Sequence, residues 1–391
     1  MRSVRRFEFA WCALNLLRNC PPIYAVYALM MQQHGLTPVQ ISLLFMLWSL
    51  SALVFEVPSG ALSDRLDRRA VLALSGCIQS AVFLLFFMQP TFAGYAAGFL
   101  LWGFGGSLWS GTAEAYLFER LAAFGATERF QTAYGMASAS AQVGIALALF
   151  SGGWISTFGD ALTVGVSVVC GVLLALAVSL GFEHAPRALR APAAAASPLR
   201  AALRDFRENA AVQQAALAIG LGLVFYSCFE EYLPLLFDEV GFDPAMVGIW
   251  YGACYAVRAV SMALVGRVPS LTRQLPPLRA LVLAGVLLAA GSAFGPAGLV
   301  LACMLYFALN GIAEVCIVND LQQQQRGDAR ATVMSLARLG ILAAGPLVYL
   351  SMGWLATQSG WTSTVWLVAA GTSLTAALLL WLQSLRRPVT G

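Results

Sequence analysis

The sequence predicts an all-α integral membrane protein with twelve transmembrane helices arranged in two six-helix halves. First, 59% of its 391 residues are hydrophobic and only 11% are charged, whereas soluble domains carry roughly 25% charged residues. Second, the chain contains apolar segments close to the roughly 20 residues that a helix needs to cross the hydrocarbon of a bilayer. Third, the second half of the chain repeats short patterns from the first half.

The apolar segments number twelve, and we call them spans 1 to 12. Their predicted limits are 9–31, 39–61, 70–88, 93–118, 131–152, 161–182, 213–237, 245–266, 279–295, 297–319, 332–355 and 362–383. Spans 9 and 10 almost touch at Gly295-Pro296, so a very short connection is expected there.

The internal repeat relates span 4 to span 10. Gly111-Thr112-Ala113-Glu114 recurs as Gly311-Ile312-Ala313-Glu314, and Gly35 to Pro38 is echoed by Gly241 to Pro244. Two parallel copies of a six-helix unit are therefore predicted. The expected domains are an N-terminal bundle at 1–182, a cytoplasmic linker at 183–212 and a C-terminal bundle at 213–391.

Arginine supplies every basic charge, because the chain contains no lysine. The arginines outside the spans all lie on one side of the twelve-span model, and the positive-inside rule places that side and both termini in the cytoplasm. We expect a multi-pass protein of the inner (cytoplasmic) membrane, with span 1 retained rather than cleaved. The basic pI of about 8.7 reflects this bias and not nucleic-acid binding.

The short connection between spans 2 and 3 carries the most specific motif. Residues 60–69 read Gly-Ala-Leu-Ser-Asp-Arg-Leu-Asp-Arg-Arg. This stretch resembles the pattern G-x-L-[SA]-D-R-x-G-R-[RK] of the major facilitator superfamily, except that Asp67 replaces a glycine. The resemblance implies a transporter that works by alternating access and uses this loop as a conformational latch. The latch residues would be Gly60 for close packing, Asp64 as cap of span 11, Arg65 and Arg68 as a charge relay, and Arg338 as countercharge.

The motif also has a simpler interpretation, since its arginines could act only as determinants of topology. Asp67 adds a negative charge and removes the flexibility of glycine, so a loop geometry different from that of the family is expected.

Charges within the spans are few, and each costs roughly 2.5–3.5 kcal/mol at a helix centre. They are Arg18, Glu56, Glu114, Glu230, Glu231, Arg258, Glu314 and Arg338, with Asp320 near a helix end. Because an unpaired buried charge is costly, we expect Arg18 to pair with Glu56 or Glu114, and Arg258 to pair with Glu314. Such pairs could also be purely structural.

A carboxylate must carry any coupled proton, because arginine does not titrate and both histidines, His34 and His184, fall outside the spans. The candidates are Glu114, Glu314 and Glu56, in that order. A glutamate that alternately loses and regains an arginine partner would change its protonation between conformations. Sodium coupling remains an alternative.

Aromatic side chains in spans 1, 2, 4, 7 and 8 favour an amphipathic substrate, although any one of them can serve packing alone. The candidate cavity residues are Asn15, Arg18, Tyr24, Trp109, Glu230 and Arg258. Span 5 keeps the outer glycines of a drug-antiporter motif, Gly144 and Gly152-Gly153, but replaces its central Gly-Pro with Ala148-Leu149. This partial match suggests an exporter. Residues 56–60, 110–115 and 330–335 resemble a bacterial branch of the superfamily that is often described as multidrug or metabolite efflux proteins.

The predicted function is proton-coupled efflux of a small amphipathic organic molecule by a monomer. The proton gradient would be the energy source, and no enzyme activity, cofactor, metal site or nucleic-acid partner is expected. The alternatives are a proton symporter that imports a nutrient or siderophore-like metabolite, and a non-transporting sensor or lipid-moving protein.

We predict that Asp64→Asn lowers transport turnover while expression and membrane insertion stay close to wild type. The reason is that a carboxylate at a helix N-terminus stabilises one conformer by about 1 kcal/mol rather than holding the fold together. Initial rates in proteoliposomes, normalised to reconstituted protein, measure this. An unchanged rate in a well-expressed variant would refute the latch assignment.

Overall fold

The computed structural model describes residues 2–183, 209–265, 275–324 and 330–385, which are helical and contain no strand. Within these ranges a helix is present at each of the twelve predicted spans, so the all-α fold is confirmed. Nine helices are long and apolar enough to cross a membrane. The other three spans correspond to a divided helix, to helix Phe92–Ala123 and to the shorter helix Pro277–Ser292. Most of the predicted linker, residues 184–208, lies outside the described residues.

The first six spans follow one another with short connections. Span 1 consists of α1 (Arg2–Asn19), a 3-10 turn (Pro22–Ala25) and α2 (Tyr27–Gln33). Spans 2 to 6 are α3 (Pro38–Arg65), α4 (Arg68–Met88), α5 (Phe92–Ala123), α6 (Phe130–Ser156) and α7 (Asp160–Gly181).

The last six spans begin with another divided helix. Span 7 consists of α8 (Ala210–Gly222), α9 (Val224–Phe229), a 3-10 turn (Glu230–Tyr232) and α10 (Leu233–Glu239). Spans 8 to 12 are α11 (Pro244–Val265), α12 (Pro277–Ser292), α13 (Gly295–Gln324), α14 (Arg330–Ser359) and α15 (Thr362–Leu385).

Two compact units emerge from the contacts. Unit 1 comprises residues 1–193 and 242–252, and unit 2 comprises 194–241 and 253–391. Each has an apolar core: in unit 1 it includes Trp11, Trp109 and Tyr116. The core of unit 2 includes Ile219 and Leu281.

Two prolines divide span 1. Pro21 and Pro22 have no N–H, so the carbonyls of Leu17 and Arg18 lose their partners in the helix. The Cys20 thiol donates to the Leu17 carbonyl at 3.3 Å, and Gln79 Nε2 donates to the Arg18 carbonyl at 3.0 Å. The carbonyl groups at the end of α1 are therefore hydrogen-bonded by side chains of unit 1 instead of by the helix backbone.

Span 7 is divided for a related reason. Pro234 cannot donate to the Glu230 carbonyl, and the Leu233 N–H donates to it instead, which tightens the chain into a 3-10 turn. Glu230 is therefore the first residue of a 3-10 turn in span 7. Tyr24 likewise lies within the 3-10 turn of span 1.

The connection between spans 2 and 3 is shorter than the sequence suggests. Helix α3 continues to Arg65 and α4 begins at Arg68, so only Leu66 and Asp67 link them. Asp67 has φ −67° and ψ 119°, and its side chain accepts from the Arg69 N–H at 3.3 Å. It is the N-cap of α4, a role that aspartate fills well. Since φ is negative, this position does not need glycine.

Glycines on α6 pack against the break in span 1. A Cβ added at Gly152 would lie 2.1 Å from the Pro22 carbonyl oxygen, and one at Gly144 would lie 2.5 Å from that of Leu16. These are two of the outer glycines of the partial antiporter motif, and they let α6 approach the backbone of span 1.

We predict that Gly152→Ala destabilises the protein by roughly 1–3 kcal/mol, because the new methyl group must displace backbone. The matched control is Gly165→Ala on α7, where a Cβ meets nothing within 4 Å. Thermal unfolding in detergent should show a lower midpoint for Gly152→Ala only. Equal midpoints for the two variants would contradict the close approach.

Candidate functional site

Unit 2 contains a cluster of charged and phenolic side chains, which we call the Arg258 cluster: Tyr226, Glu230, Tyr255, Arg258 and Glu314. Arg258 Nη2 donates to Glu314 Oε2, so the ion pair predicted between spans 8 and 10 is confirmed. The guanidinium carbon also lies 4.8 Å from the centre of the Tyr226 ring. The Arg258 side chain is only 9% exposed while that of Glu314 is 29% exposed, so Glu314 is the accessible partner.

Glu230 completes this cluster from span 7. Its Oε2 accepts from the Tyr226 hydroxyl at 2.9 Å and from the Tyr255 hydroxyl at 2.6 Å, and its charge interacts with that of Arg258. One arginine therefore lies among two carboxylates. Glu231 instead interacts with Tyr349, in keeping with the angle of about 100° between adjacent helical residues.

Unit 1 holds Arg18 without a carboxylate. Arg18 Nη1 donates to Ser75 Oγ at 3.0 Å, and its guanidinium carbon lies 4.4 Å from the centre of the Trp109 ring. The predicted pairing with Glu56 or Glu114 is wrong in this conformation, since no described carboxylate forms an ion pair with Arg18. Arg18 occupies the last turn of α1, where the negative end of the helix dipole favours a cation.

The remaining cavity candidates of unit 1 lie on span 1 and span 4. Trp109 stacks on Trp11 with ring centres 6.2 Å apart. The Tyr24 hydroxyl accepts from Gln79 Nε2 at 2.7 Å, while Asn15 donates back to the Trp11 carbonyl within α1 at 2.8 Å. Arg18, Tyr24 and Trp109 thus form one group. The Asn15 amide instead donates its hydrogen bond to a backbone carbonyl of α1.

Glu56 and Glu114 lie elsewhere in unit 1, within electrostatic range of each other, and we call them the carboxylate pair. Glu56 Oε2 accepts from Ser110 Oγ at 3.3 Å, and the charges of Glu56 and Glu114 interact. Glu56 is half-buried and Glu114 is exposed. Neither forms an ion pair with an arginine in the part of the chain that the structure describes.

One hydrogen-bond pattern relates the carboxylate pair to the Arg258 cluster. The Ser59 hydroxyl contacts the Glu56 and Ser107 carbonyl oxygens, both at 3.0 Å. The Ser261 hydroxyl contacts the Arg258 carbonyl at 2.7 Å and the Ala308 carbonyl at 2.9 Å. If Ser59 and Ser261 are equivalent in the two halves, then Glu56 in unit 1 is equivalent to Arg258 in unit 2, and both pairs are separated by 202 residues. Gly35 and Gly241, just before spans 2 and 8, are instead separated by 206 residues, so the spacing between equivalent residues changes along the span.

The predicted latch is only partly described. The side chains of Asp64 and Arg338 lie outside the described residues, and Arg65 is exposed. Arg68 Nε lies 3.0 Å from Glu119 Oε1, with both side chains buried. A Cβ at Gly60 would meet nothing within 4 Å among the described residues, although a Cβ at Gly111 would lie 3.5 Å from the Gly60 Cα. The close-packing role of Gly60 therefore stays a prediction.

Sequence reasoning missed the acidic partners at this end of unit 1. Besides Glu119, these are Glu8, which accepts two hydrogen bonds from Arg129 at 2.7 Å, and Glu183, which pairs with Arg120. Glu8, Glu119 and Glu183 each lie one residue outside a predicted span. The signal was the Glu119-Arg120 dipeptide, which extends span 4 as helix beyond its predicted apolar limit.

The number of helices that are long and apolar enough to cross a bilayer defines a multi-pass membrane protein. The family model of the Major Facilitator Superfamily matches residues 16–336. The chain therefore belongs to this superfamily, as the motif between spans 2 and 3 suggested.

Solved structures with the same fold have low sequence identity to this chain. The nucleoside transporter NupG is 13% identical with a TM-score of 0.73, covering 96% of this chain and 98% of its own. The D-xylose-proton symporter is 12% identical with a TM-score of 0.75, covering 96% and 97%. A bacterial homolog of the human lysosomal transporter Spinster is 15% identical with a TM-score of 0.74, covering 96% and 95%. No curated protein sequence matches the chain.

We predict that Arg258 and Glu314 are energetically coupled whereas Arg18 and Glu114 are not. Arg258→Ala or Glu314→Ala alone should cost about 3 kcal/mol, the low end for a buried pair because Glu314 is partly exposed, and the double variant should cost much less than the sum. Double-mutant cycles on thermal stability in detergent measure both couplings. Additive losses for Arg258 and Glu314, or strong coupling between Arg18 and Glu114, would contradict the geometry.

Proposed function

We propose that this transporter couples the movement of its substrate to protons through the carboxylate pair, Glu56 and Glu114. The observation that supports this is that neither Glu56 nor Glu114 is bonded to an arginine in the described structure, while Glu56 accepts from Ser110 and lies within electrostatic range of Glu114. Two such groups repel each other when both are ionised, so they suit a site that takes up and releases one proton.

Glu314 is a weaker candidate in this conformation. Arg258 neutralises its charge through a direct hydrogen bond, and protonating Glu314 would leave a buried guanidinium with less compensation. The position that Arg258 occupies in unit 2 is held by Glu56 in unit 1. We therefore place coupling in unit 1 and assign Arg258 the structural or substrate-facing role.

We further propose that the substrate is a small amphipathic organic molecule and that it is exported in exchange for protons, by a monomer in the inner membrane with both termini in the cytoplasm. The group formed by Arg18, Tyr24 and Trp109 supports an amphipathic substrate, because it combines a cation with two aromatic rings. Efflux is supported by the partial antiporter motif on α6.

Proton-driven import is the second candidate. The Arg258 cluster favours it, because two phenols, two carboxylates and a guanidinium can hydrogen-bond a polar metabolite. The fold is also that of a D-xylose-proton symporter and a nucleoside transporter, which are named for polar substrates.

We predict that Glu114→Gln abolishes uphill transport but preserves substrate binding and downhill exchange. Glutamine keeps the shape and hydrogen bonding of the side chain and removes its titration. The measurement is flux in proteoliposomes with and without an imposed pH gradient. Glu128→Gln, an exposed residue between spans 4 and 5, is the matched control and should behave as wild type.

Wild-type uphill flux in Glu114→Gln would remove this residue from coupling, and Glu56→Gln would then separate the two members of the pair. The direction of flux under a gradient imposed with either sign distinguishes export from import. No response to any pH gradient would refute proton coupling as a whole.

A further inference from the structure

Unit 1 contains a cavity of about 440 Å³ away from the clusters described above. It lies among the beginning of α1, the end of α5 and the end of α7. Its lining residues are Ser3, Arg6, Phe7, Ala10, Arg120, Phe124, Gly181, Phe182 and Glu183. We call it the Arg6 cavity. Its volume is within the range of sites that hold small ligands.

One wall of the cavity is aromatic. The Phe7 ring centre lies 5.8 Å from that of Phe124 and 6.1 Å from that of Phe182. Phe7 and Phe182 are buried in the core of unit 1. Phe124 is partly exposed, so it is this ring that offers an apolar surface for hydrocarbon to cover.

The polar side of the cavity carries net positive charge. Arg120 lies over the Phe124 ring at 5.2 Å and pairs with Glu183, which leaves the exposed guanidinium of Arg6 as an uncompensated cation among the lining residues. The hydroxyl of Ser3 lies beside it on α1. Two guanidiniums against one carboxylate match a ligand with a single negative charge.

The position of the cavity indicates where such a ligand comes from. The beginning of α1 and the ends of α5 and α7 lie on the side of unit 1 where Arg69 donates to the Phe182 carbonyl. The positive-inside rule predicts that this arginine-bearing side faces the headgroups of the cytoplasmic leaflet. Basic sites between helices at this level attract anionic headgroups. A phosphodiester with attached acyl chains fits both the cation and the aromatic wall, whereas free phosphate would leave that wall uncovered.

We propose that the Arg6 cavity binds the headgroup of an anionic phospholipid, with the phosphodiester at Arg6 and Ser3 and the adjoining hydrocarbon against Phe124. This site is independent of the coupling mechanism, since none of its lining residues belongs to the carboxylate pair or the Arg258 cluster.

The test is titration of the purified full-length protein with phosphatidylglycerol, followed by native mass spectrometry, with phosphatidylcholine as the neutral comparison. Arg6→Gln should weaken phosphatidylglycerol binding about fivefold, the effect of one arginine near an anionic surface. Arg5→Gln is the matched control, because Arg5 is an exposed neighbour of equal charge that does not line the cavity. It should leave the affinity at this site unchanged.

A second variant fills the space without changing charge. Ala10→Leu should reduce phosphatidylglycerol binding while thermal stability, measured in the same preparation, stays near that of wild type. Equal losses for Arg5→Gln and Arg6→Gln, or no preference for phosphatidylglycerol over phosphatidylcholine, would overturn the proposal. Competition by glycerol phosphate as effective as that by the lipid would also overturn it and assign the cavity to a soluble anion.

Discussion

The fold depends on one constraint, that a polar group within the hydrocarbon must find its partner inside the protein. The break in span 1 shows that this constraint determines side-chain positions as well as backbone structure. Pro21 and Pro22 free two carbonyls, and the carbonyl of Arg18 is then bound by Gln79, which also binds Tyr24. A backbone requirement thereby fixes the side chains that form the polar group around Arg18.

The same constraint has different solutions in the two units. In unit 2 a buried arginine compensates Glu314 and also interacts with Glu230. In unit 1 the equivalent position is Glu56, and the arginine instead lies at the end of α1 on an indole and a serine. An internal duplication has thus kept the Ser59 and Ser261 hydrogen bonds while changing which charges face each other.

The sequence alone predicted the features that depend on hydrophobicity and on the free-energy cost of burying an unpaired charge. These include the twelve spans and the pair of Arg258 with Glu314, where opposite charges lie at similar depth in neighbouring spans. It was insufficient for Arg18, because a cation held by an aromatic face and a helix end leaves no acidic partner in the sequence. It also failed for Asp67, whose capping role depends on where α4 begins.

The sequence did not predict the charge pairs at the end of unit 1 where α3 meets α4, for another reason. Glu119 and Arg120 lie beyond the apolar limit of span 4, and hydropathy alone assigns such residues to water. In the structure the pair of Arg68 with Glu119 is buried, and removing one partner from a buried pair costs several kcal/mol. Compensated charges of this kind hold helices together. Glu56 and Glu114 form no such pair with an arginine in the described structure, which is why we propose them, and not Glu119, for coupling.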